Sequence, residues 1–536
     1  MGVKGQMAIL GGLSAVLLSV PFLVPHCGWA ALFGLVPLLC MEKIGSETGV
    51  KRLWFWYYGV FVLWNALTTF WVCNATVGGG IFAVLANALQ MAVIFALFRG
   101  SKKVFRGSVP YLFLAAAWIA WERFYFSAQI SWPWLTLGNA FARTLTLAQW
   151  YEYTGSLGGS LWIWACNLGL FGLLCALADG RFFRWNGKAR LAAAGGYALV
   201  LIVPMVCSVV IWNRYEEKGE PLEVLAVQPN IDPYHKFEAL SQSEQNAILE
   251  GQIRQALQDR LHDSTAAPLL VLAPETFTSD VVTNDIPQSR TWRRFTALMQ
   301  DYPATSLLFG ASSYTLVDGP KPGPNARPTR DGNWLLSHNS ALMADGRGST
   351  EIFHKSKLVV GVELTPFPAF FTKIDDMLGG VMGRCVGQDE ITLLHAGDIP
   401  LGCAICYESV YGEYCTGYVR KGARLLTIIT NDAWWGDTPG YRQHLSYASL
   451  RAIETRRDIA RCANTGISAI IDQRGRILQE TPWWEMATLR GTVNLTDGET
   501  FFVRNGDIVG RICTFVFGLL LLAMIVRAFI PKEFRK

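Results

Sequence analysis

The chain has 536 residues and a net charge of +5, and it is 51% hydrophobic with 20 Trp and 30 Phe against only 17% charged residues. A soluble domain carries roughly 25% charge, so part of this chain is expected to live in lipid. Its Lys and Arg cluster beside apolar segments rather than along one basic face, which leaves nucleic-acid binding without support.

A membrane-crossing helix needs about 20 largely apolar residues. The first 212 positions supply seven candidates, at 7–24, 27–41, 53–75, 78–98, 109–128, 157–178 and 192–212, and an eighth lies at 508–530. The second is short enough to be a half-span or a tilted helix. Residues 7–24 read as a span rather than a cleaved signal peptide, because the run exceeds the usual apolar core and no small-residue cleavage site follows. Lys4, then Lys43, Lys51 and Arg52, then Arg99, Lys102, Lys103 and Arg106, then Arg181, Arg184, Lys188 and Arg190 fall at alternate connections, whereas the intervening ones carry only Arg123 and Arg143. Lys and Arg are retained on the cytoplasmic side. The expected organisation is therefore a bundle of about seven spans over 1–212 starting in the cytoplasm, an outer domain over 213–507, and a C-terminal helix with a basic cytoplasmic tail over 508–536. Between the fifth and sixth spans, Ser131-Trp132-Pro133-Trp134 and Trp150-Tyr151 form either an aromatic belt or a surface that positions a lipid, with Trp132 and Trp134 as candidate contacts.

Cys27, Cys40, Cys73, Cys166, Cys175, Cys207 and Cys513 lie within apolar segments as small hydrophobes. The polar middle keeps Cys385, Cys403, Cys406, Cys415 and Cys462, an odd number that leaves at least one thiol free in an oxidising compartment.

From Leu222 the texture changes to short apolar runs bounded by turn residues, at 222–227, 268–272, 306–309, 401–405, 424–429 and 467–471. Helical periodicity appears at 241–262, 290–300 and 440–457. Strands alternating with helices indicate an α/β domain with layered helices. The Pro/Gly/Arg-rich stretch 318–332 reads as a surface loop.

Three strand ends carry chemistry. Pro274 ends an apolar run and leaves Glu275 at its C-terminal end, where α/β sheets place their sites. In Ile352-Phe-His354-Lys355-Ser-Lys357 through Glu363, a lysine sits in an apolar setting where it could stabilise an oxyanion. Leu401-Gly-Cys403-Ala-Ile-Cys406-Tyr407-Glu408 runs a strand into a thiol and a carboxylate, the groups of a nucleophile and its support. The Cys-x-x-Cys spacing also invites a redox or zinc reading. Two thiols so spaced in a strand point to opposite faces, and no further Cys or His partner stands at ligand spacing. No metal is expected.

In the order Glu275, Lys355, Cys406 these residues resemble the nitrilase (carbon-nitrogen hydrolase) superfamily, whose members use such a triad in an α-β-β-α sandwich. Asn431-Asp432-Ala-Trp434-Trp435-Gly436, Arg451-Ala-Ile-Glu454-Thr-Arg456 and Arg461-Cys-Ala-Asn464-Thr-Gly466 are similar to the segments that follow the cysteine. With apolar helices on both sides, the chain resembles the apolipoprotein N-acyltransferase branch, including its Pro-Trp segment at 131–138. The resemblance implies Glu275 as general base, Lys355 as oxyanion stabiliser and Cys406 as nucleophile. It implies that Tyr407 offers a backbone N–H to the oxyanion, and that Glu363 and Glu408 support the triad and keep Lys355 charged. Phe237, Trp434 and Trp435 become candidate substrate contacts. Phe237 stands where the family carries Trp, and Val359-Val360-Gly361-Val362 where it carries Pro-Phe-Gly. The implied reaction moves a fatty acyl group from a membrane phospholipid, through a Cys406 thioester, to the N-terminal amine of a diacylglyceryl-cysteine lipoprotein, with no cofactor, at the outer face of a bacterial inner membrane. One rival is a membrane-tethered amidase acting on small amides with the same triad. Another is a transporter, against which the spans carry almost no charge.

Overall fold

The computed structural model describes residues 2–234, 239–377 and 383–529. Phe237 lies outside the described residues. The chain forms two compact units, one from 1–215 with 505–536 and the other from 216–504.

In the first unit, six helical runs among the described residues are long and apolar enough to cross a membrane: Val3–Leu23, Gly28–Glu47, Val77–Ser101, Tyr151–Ala178, Gly187–Arg214 and Ile508–Arg527. The remaining two of about eight predicted spans coincide with the helices Leu53–Thr69 and Val109–Tyr125, each of 17 residues. At 1.5 Å per residue these reach about 25 Å, slightly short of a hydrocarbon core of about 30 Å. The first of them is extended by the one-turn helix Val72–Ala75. The short second candidate is a broken helix, with pieces Gly28–Ala30, Ala31–Gly34 and Val36–Glu47. Broken backbone at membrane depth must be satisfied by neighbours. Asn167 does this: its Oδ1 accepts from Leu35 N at 2.8 Å and Val36 N at 3.1 Å, while its Nδ2 donates to Ala31 O and Ile163 O.

Two carboxylates that the charge argument discounted are buried here. Glu42 is paired with Lys102. Glu122 accepts from Trp118 Nε1 at 3.1 Å and from Leu137 N at 2.8 Å, and so ties the 131–142 connection to the helix Val109–Tyr125. The chain from 131 to 147 folds as three short 3-10 turns, Pro133–Leu135, Leu137–Phe141 and Leu145–Leu147. Trp134 is fully buried, stacked on Trp132 at 5.1 Å and edge-on to Trp71 at 4.9 Å. An indole enclosed by two others offers no face to a lipid, so the surface expected of this pair reduces to Trp132.

The second unit is an α-β-β-α sandwich. One sheet runs in the order Ala487–Leu495, Glu220–Gln228, Leu269–Leu272, Thr305–Val317, Trp334–Asp345, Arg327–Pro328, with Thr278–Val282 and Glu351–His354 pairing beside the two longest strands. The other runs Ile477–Glu480, Ala469–Ile471, Ile459–Ala463, Leu425–Thr430, Ile399–Ile405, Leu394–Ala396. Side chains alternate across each strand. Thus Leu222, Val224, Ala226, Leu270, Leu272 and Leu308 join Leu401, Cys403, Ile405, Leu425 and Ile429 in the core between the sheets. Leu225, Val227, Leu269, Val271, Leu307 and Phe309 instead meet Leu249 and Ile253 of the helix Gln242–Ala256 and Phe295 of the helix Arg290–Gln300. The helices Gly412–Arg420 and Pro439–Thr455 cover the second sheet through Tyr418, Val419, Leu445, Ala448 and Ala452. The capping box of Ser241 with Glu244 starts the helix Gln242–Ala256. The expected surface loop at 318–332 holds, apart from the two-residue strand Arg327–Pro328.

Candidate active site

Three strand ends meet in the second unit. The strand Leu269–Leu272 runs out into Ala273 and Pro274, and the left-handed Thr276, at φ 46°, turns the chain just after Glu275. Gly310 makes this approach possible: a Cβ there would lie 2.6 Å from both Glu275 Cα and Pro274 O. Lys355 follows the strand Glu351–His354, its N–H donating to Asn339 O at 2.8 Å. Cys406 follows the strand Ile399–Ile405 and opens the 3-10 turn Cys406–Val410 with φ 52°, a left-handed conformation that a non-glycine residue adopts only when its surroundings enforce it.

Lys355 Nζ lies 3.1 Å from Glu275 Oε1 and 3.0 Å from Glu363 Oε1. Asn339 Nδ2 donates to the same two oxygens at 2.7 and 2.6 Å, and Asn431 N donates to Glu275 Oε2 at 3.2 Å. Burial disfavours the Lys355 ammonium, but Glu275 and Glu363 outweigh it and hold its pKa well above the ordinary value. The lysine is therefore a fixed positive charge. The Cys406 thiol is pushed well up by burial and by Glu275, with Lys355 opposing. The resting Cys406 sulfur is therefore held as a neutral thiol. Glu275 is held by donors on both carboxylate oxygens. Replacing it separates two effects. Glu275→Gln removes a negative charge that raises the Cys406 pKa, so the pH profile of Cys406 alkylation by iodoacetamide should move to lower pH while acyl transfer collapses; an unmoved profile would place Glu275 away from the sulfur.

Glu408 works through the backbone. Its Oε1 accepts from Ser356 N at 2.7 Å, Lys357 N at 3.2 Å and Tyr414 Oη at 2.9 Å, and its Oε2 from Ile405 N at 2.8 Å. It thus ties the segment after Lys355 to the residue before Cys406. Burial pushes this carboxyl up to about 7 against those donors. Tyr407 is buried in the turn after Cys406, its ring edge-on to Tyr411 at 5.2 Å. Trp434 is 40% exposed and edge-on to Tyr234, whereas Trp435 packs its edge on His444.

In the segment Val359-Val360-Gly361-Val362, Gly361 takes φ 84°, and Glu363 N donates to Val359 O at 2.8 Å, closing a tight loop that returns Glu363 to Lys355. Gly383 clamps it from outside: a Cβ there would lie 1.8 Å from Val362 O and 2.7 Å from Glu363 Cα. Gly383→Ala should displace Glu363 and lower kcat by about 10²-fold with a smaller change in KM. An unchanged kcat in a steady-state transfer assay would show that Glu363 is dispensable.

Behind the cysteine lies a buried network. His444 Nε2 is 3.0 Å from Cys406 O and from Ser409 Oγ, its Nδ1 is 3.0 Å from Asp432 Oδ1, and Arg461 donates to Asp432 Oδ2 at 2.6 Å. Arg451 donates to Val410 O at 2.7 Å and pairs with Glu454. The Cys406 sulfur, an Asp432 oxygen and a His444 nitrogen lie within 4.8 Å of one another, close enough to share a cation. A guanidinium already occupies Asp432, and both His444 nitrogens face oxygen acceptors. The donor set fits a brace for the strained Cys406 turn better than a metal site. Burial pushes the Asp432 carboxyl up, and Arg461 and His444 more than reverse it, holding it well below the usual carboxylate range.

Family models match both parts of the chain: an apolipoprotein N-acyltransferase N-terminal domain over residues 14–169 and a carbon-nitrogen hydrolase over 322–501. An apolipoprotein N-acyltransferase of Chlorobaculum tepidum is 28% identical over 96% of each chain. In both its parts the chain is similar to the apolipoprotein N-acyltransferase family. A second relative of that name, from Geobacter metallireducens, is 29% identical over 95% of this chain and 92% of its own. Among solved structures, a mutant amidase of the nitrilase superfamily from Nesterenkonia is 17% identical with a TM-score of 0.37, covering 56% of this chain and 98% of its own.

Proposed function

We propose that this membrane protein transfers a fatty acyl group from a phospholipid to the N-terminal amine of a diacylglyceryl-cysteine lipoprotein, by way of a thioester on Cys406. The observation that carries the reading is the convergence of Glu275, Lys355 and Cys406 from distant stretches of a chain whose apolar and catalytic parts both match their family. Cys406 Sγ attacks the ester carbonyl as its proton passes to Glu275. Lys355 Nζ and the Tyr407 N–H meet the oxyanion, which preorganised donors stabilise without reorganisation. Collapse breaks the ester C–O bond, and Glu275 returns the proton to the departing lysophospholipid alkoxide. The lipoprotein α-amine then attacks the thioester, gives up a proton to Glu275, and leaves an amide and a thiolate that is reprotonated. Both substrates occupy one site in turn, a ping-pong course.

The alternating basic connections support a cytoplasmic N-terminus, with the catalytic unit at the outer face of the inner membrane. Extracting an acyl chain into a soluble pocket costs about 0.8 kcal/mol per CH₂, which a chain anchored in the same leaflet as both substrates avoids. Exposed Trp434 with Tyr234, and half-buried Trp132, are the candidate acyl-chain contacts.

The test is acceptor choice. With phospholipid vesicles and a synthetic diacylglyceryl-cysteine peptide, the peptide should gain one acyl group on its amine. Ammonia release from small amides without acylation of the peptide would establish the amidase reading instead.

A further inference from the structure

A groove opens in the apolar unit, at the end where its chain begins. The helices Val3–Leu23 and Leu53–Thr69 run side by side in the same direction. A Cβ on Gly45 would touch both Met7 and Leu53, and one on Gly11 would touch Val60. Between them opens a groove of about 330 Å³, lined by Gly11, Gly12, Phe55, Gly59 and Leu63 among others. Gly12 and Gly59 face open space, with nothing within 4 Å of either Cβ position. Phe55 is 61% and Leu63 41% exposed, so the groove opens on a face of the kind that meets lipid tails.

Lipid tails are as apolar as the groove, so burial alone selects nothing there. Selection has to come from the mouth, and the mouth is positive. Lys4 stands one turn before Met7, and Lys51 and Arg52 immediately precede the second helix; all three are exposed. The nearby carboxylates Glu42 and Glu47 are paired with Lys102 and Lys43. Lys4, Lys51 and Arg52 have no carboxylate partner among the described residues. Both helices also begin without a side-chain cap, at Gly2 and at the left-handed Arg52. Two sets of uncapped backbone N–H groups at the positive ends of helix dipoles therefore join three cations at one level. That combination suits a phosphate.

We propose that this groove seats an acyl chain of an anionic phospholipid whose phosphate is held by Lys4, Lys51 and Arg52. It is separate from the Glu275–Lys355–Cys406 site and stands whether or not that site transfers acyl groups.

The test uses the full chain in phosphatidylcholine nanodiscs doped with a phosphatidylglycerol that carries a diazirine on its acyl chain. Light should label the segments 7–12 and 55–63. Gly12→Leu with Gly59→Leu, which fills the groove where space is open, should abolish that label. Lys51→Gln with Arg52→Asn leaves the groove intact and keeps a residue that tolerates the left-handed turn. It should lower phosphatidylglycerol labelling by about fivefold per charge removed. Equal labelling by a diazirine phosphatidylcholine in the unmodified chain would overturn the proposal. So would label that persists in the filled variant, or protein–protein cross-links through 7–12 and 55–63 in place of lipid label, which would assign the groove to a second copy.

Discussion

Cys406→Ala is expected to lower acyl transfer by at least about 10⁴-fold, the scale seen when a covalent nucleophile is removed from a unit that acts together. The reason is geometric as well as chemical. Cys406 stands where a parallel strand ends, in a left-handed turn braced by His444 on its carbonyl and by Glu408 on the residue before it. The nearest other thiol in sequence, Cys403, cannot stand in. It lies inside the strand Ile399–Ile405, buried in the core between the sheets, and burial raises its pKa strongly. Transfer assays on Cys406→Ala and Cys403→Ala therefore should differ by orders of magnitude, with Cys403→Ala showing only the modest stability loss of a small core truncation. Comparable activity in the two variants would contradict the assignment.

Lys355→Met should cost both rate and stability. Removing one oxyanion donor is worth about 10²–10³ in kcat. The folded state also suffers, because the methionine leaves Glu275 and Glu363 buried together without the ammonium that each touches at about 3 Å. Breaking a buried pair by deleting one partner costs about 3–5 kcal/mol. The sign with pH follows. In the unmodified protein, the raised Lys355 pKa contributes stability that is fully present below about pH 10.4, the unfolded value, and is lost as pH rises through the folded pKa. In Lys355→Met that contribution is gone, and two facing carboxylates repel at neutral pH. The deficit in thermal midpoint should therefore narrow as pH falls. A deficit independent of pH would mean that the lysine acts only by packing.

Much of this was legible in the chain before its structure. Polar residues at the ends of apolar strands pointed to Glu275, Lys355 and Cys406 as candidates, because strand ends are where a sheet exposes chemistry, and the structure brings the three together. Apolar length marked the spans, although Leu53–Thr69 and Val109–Tyr125 came out shorter and Gly28–Glu47 broken. The break depends on Asn167, more than 130 residues away, and no local pattern announces such a partner. Asn339 was equally silent: it is one asparagine in a long strand, and only the antiparallel pairing beside Glu351–His354 carries its amide to both carboxylates. His444 sat within a helical pattern and Asp432 and Arg461 within quoted motifs, yet that they close a network on the Cys406 carbonyl depends on three elements meeting in space. The role expected of Glu408 shifted for a similar reason, since its hydrogen bonds reach backbone N–H groups of two separate segments, which carry no side-chain signature. Glu122 carries no local sequence signal of its role; the hydrogen bond it accepts from Leu137 N shows it anchoring the connection that follows.

The central claim is that Cys406 carries the acyl group, and intact-mass measurement of the protein after incubation with a phospholipid of defined chains addresses it most directly. The unmodified chain should gain the mass of one fatty acyl group, lose it again when a diacylglyceryl-cysteine peptide is added, and show no gain as Cys406→Ala. An acyl adduct that persists in Cys406→Ala, or that maps to Cys403, would contradict the account.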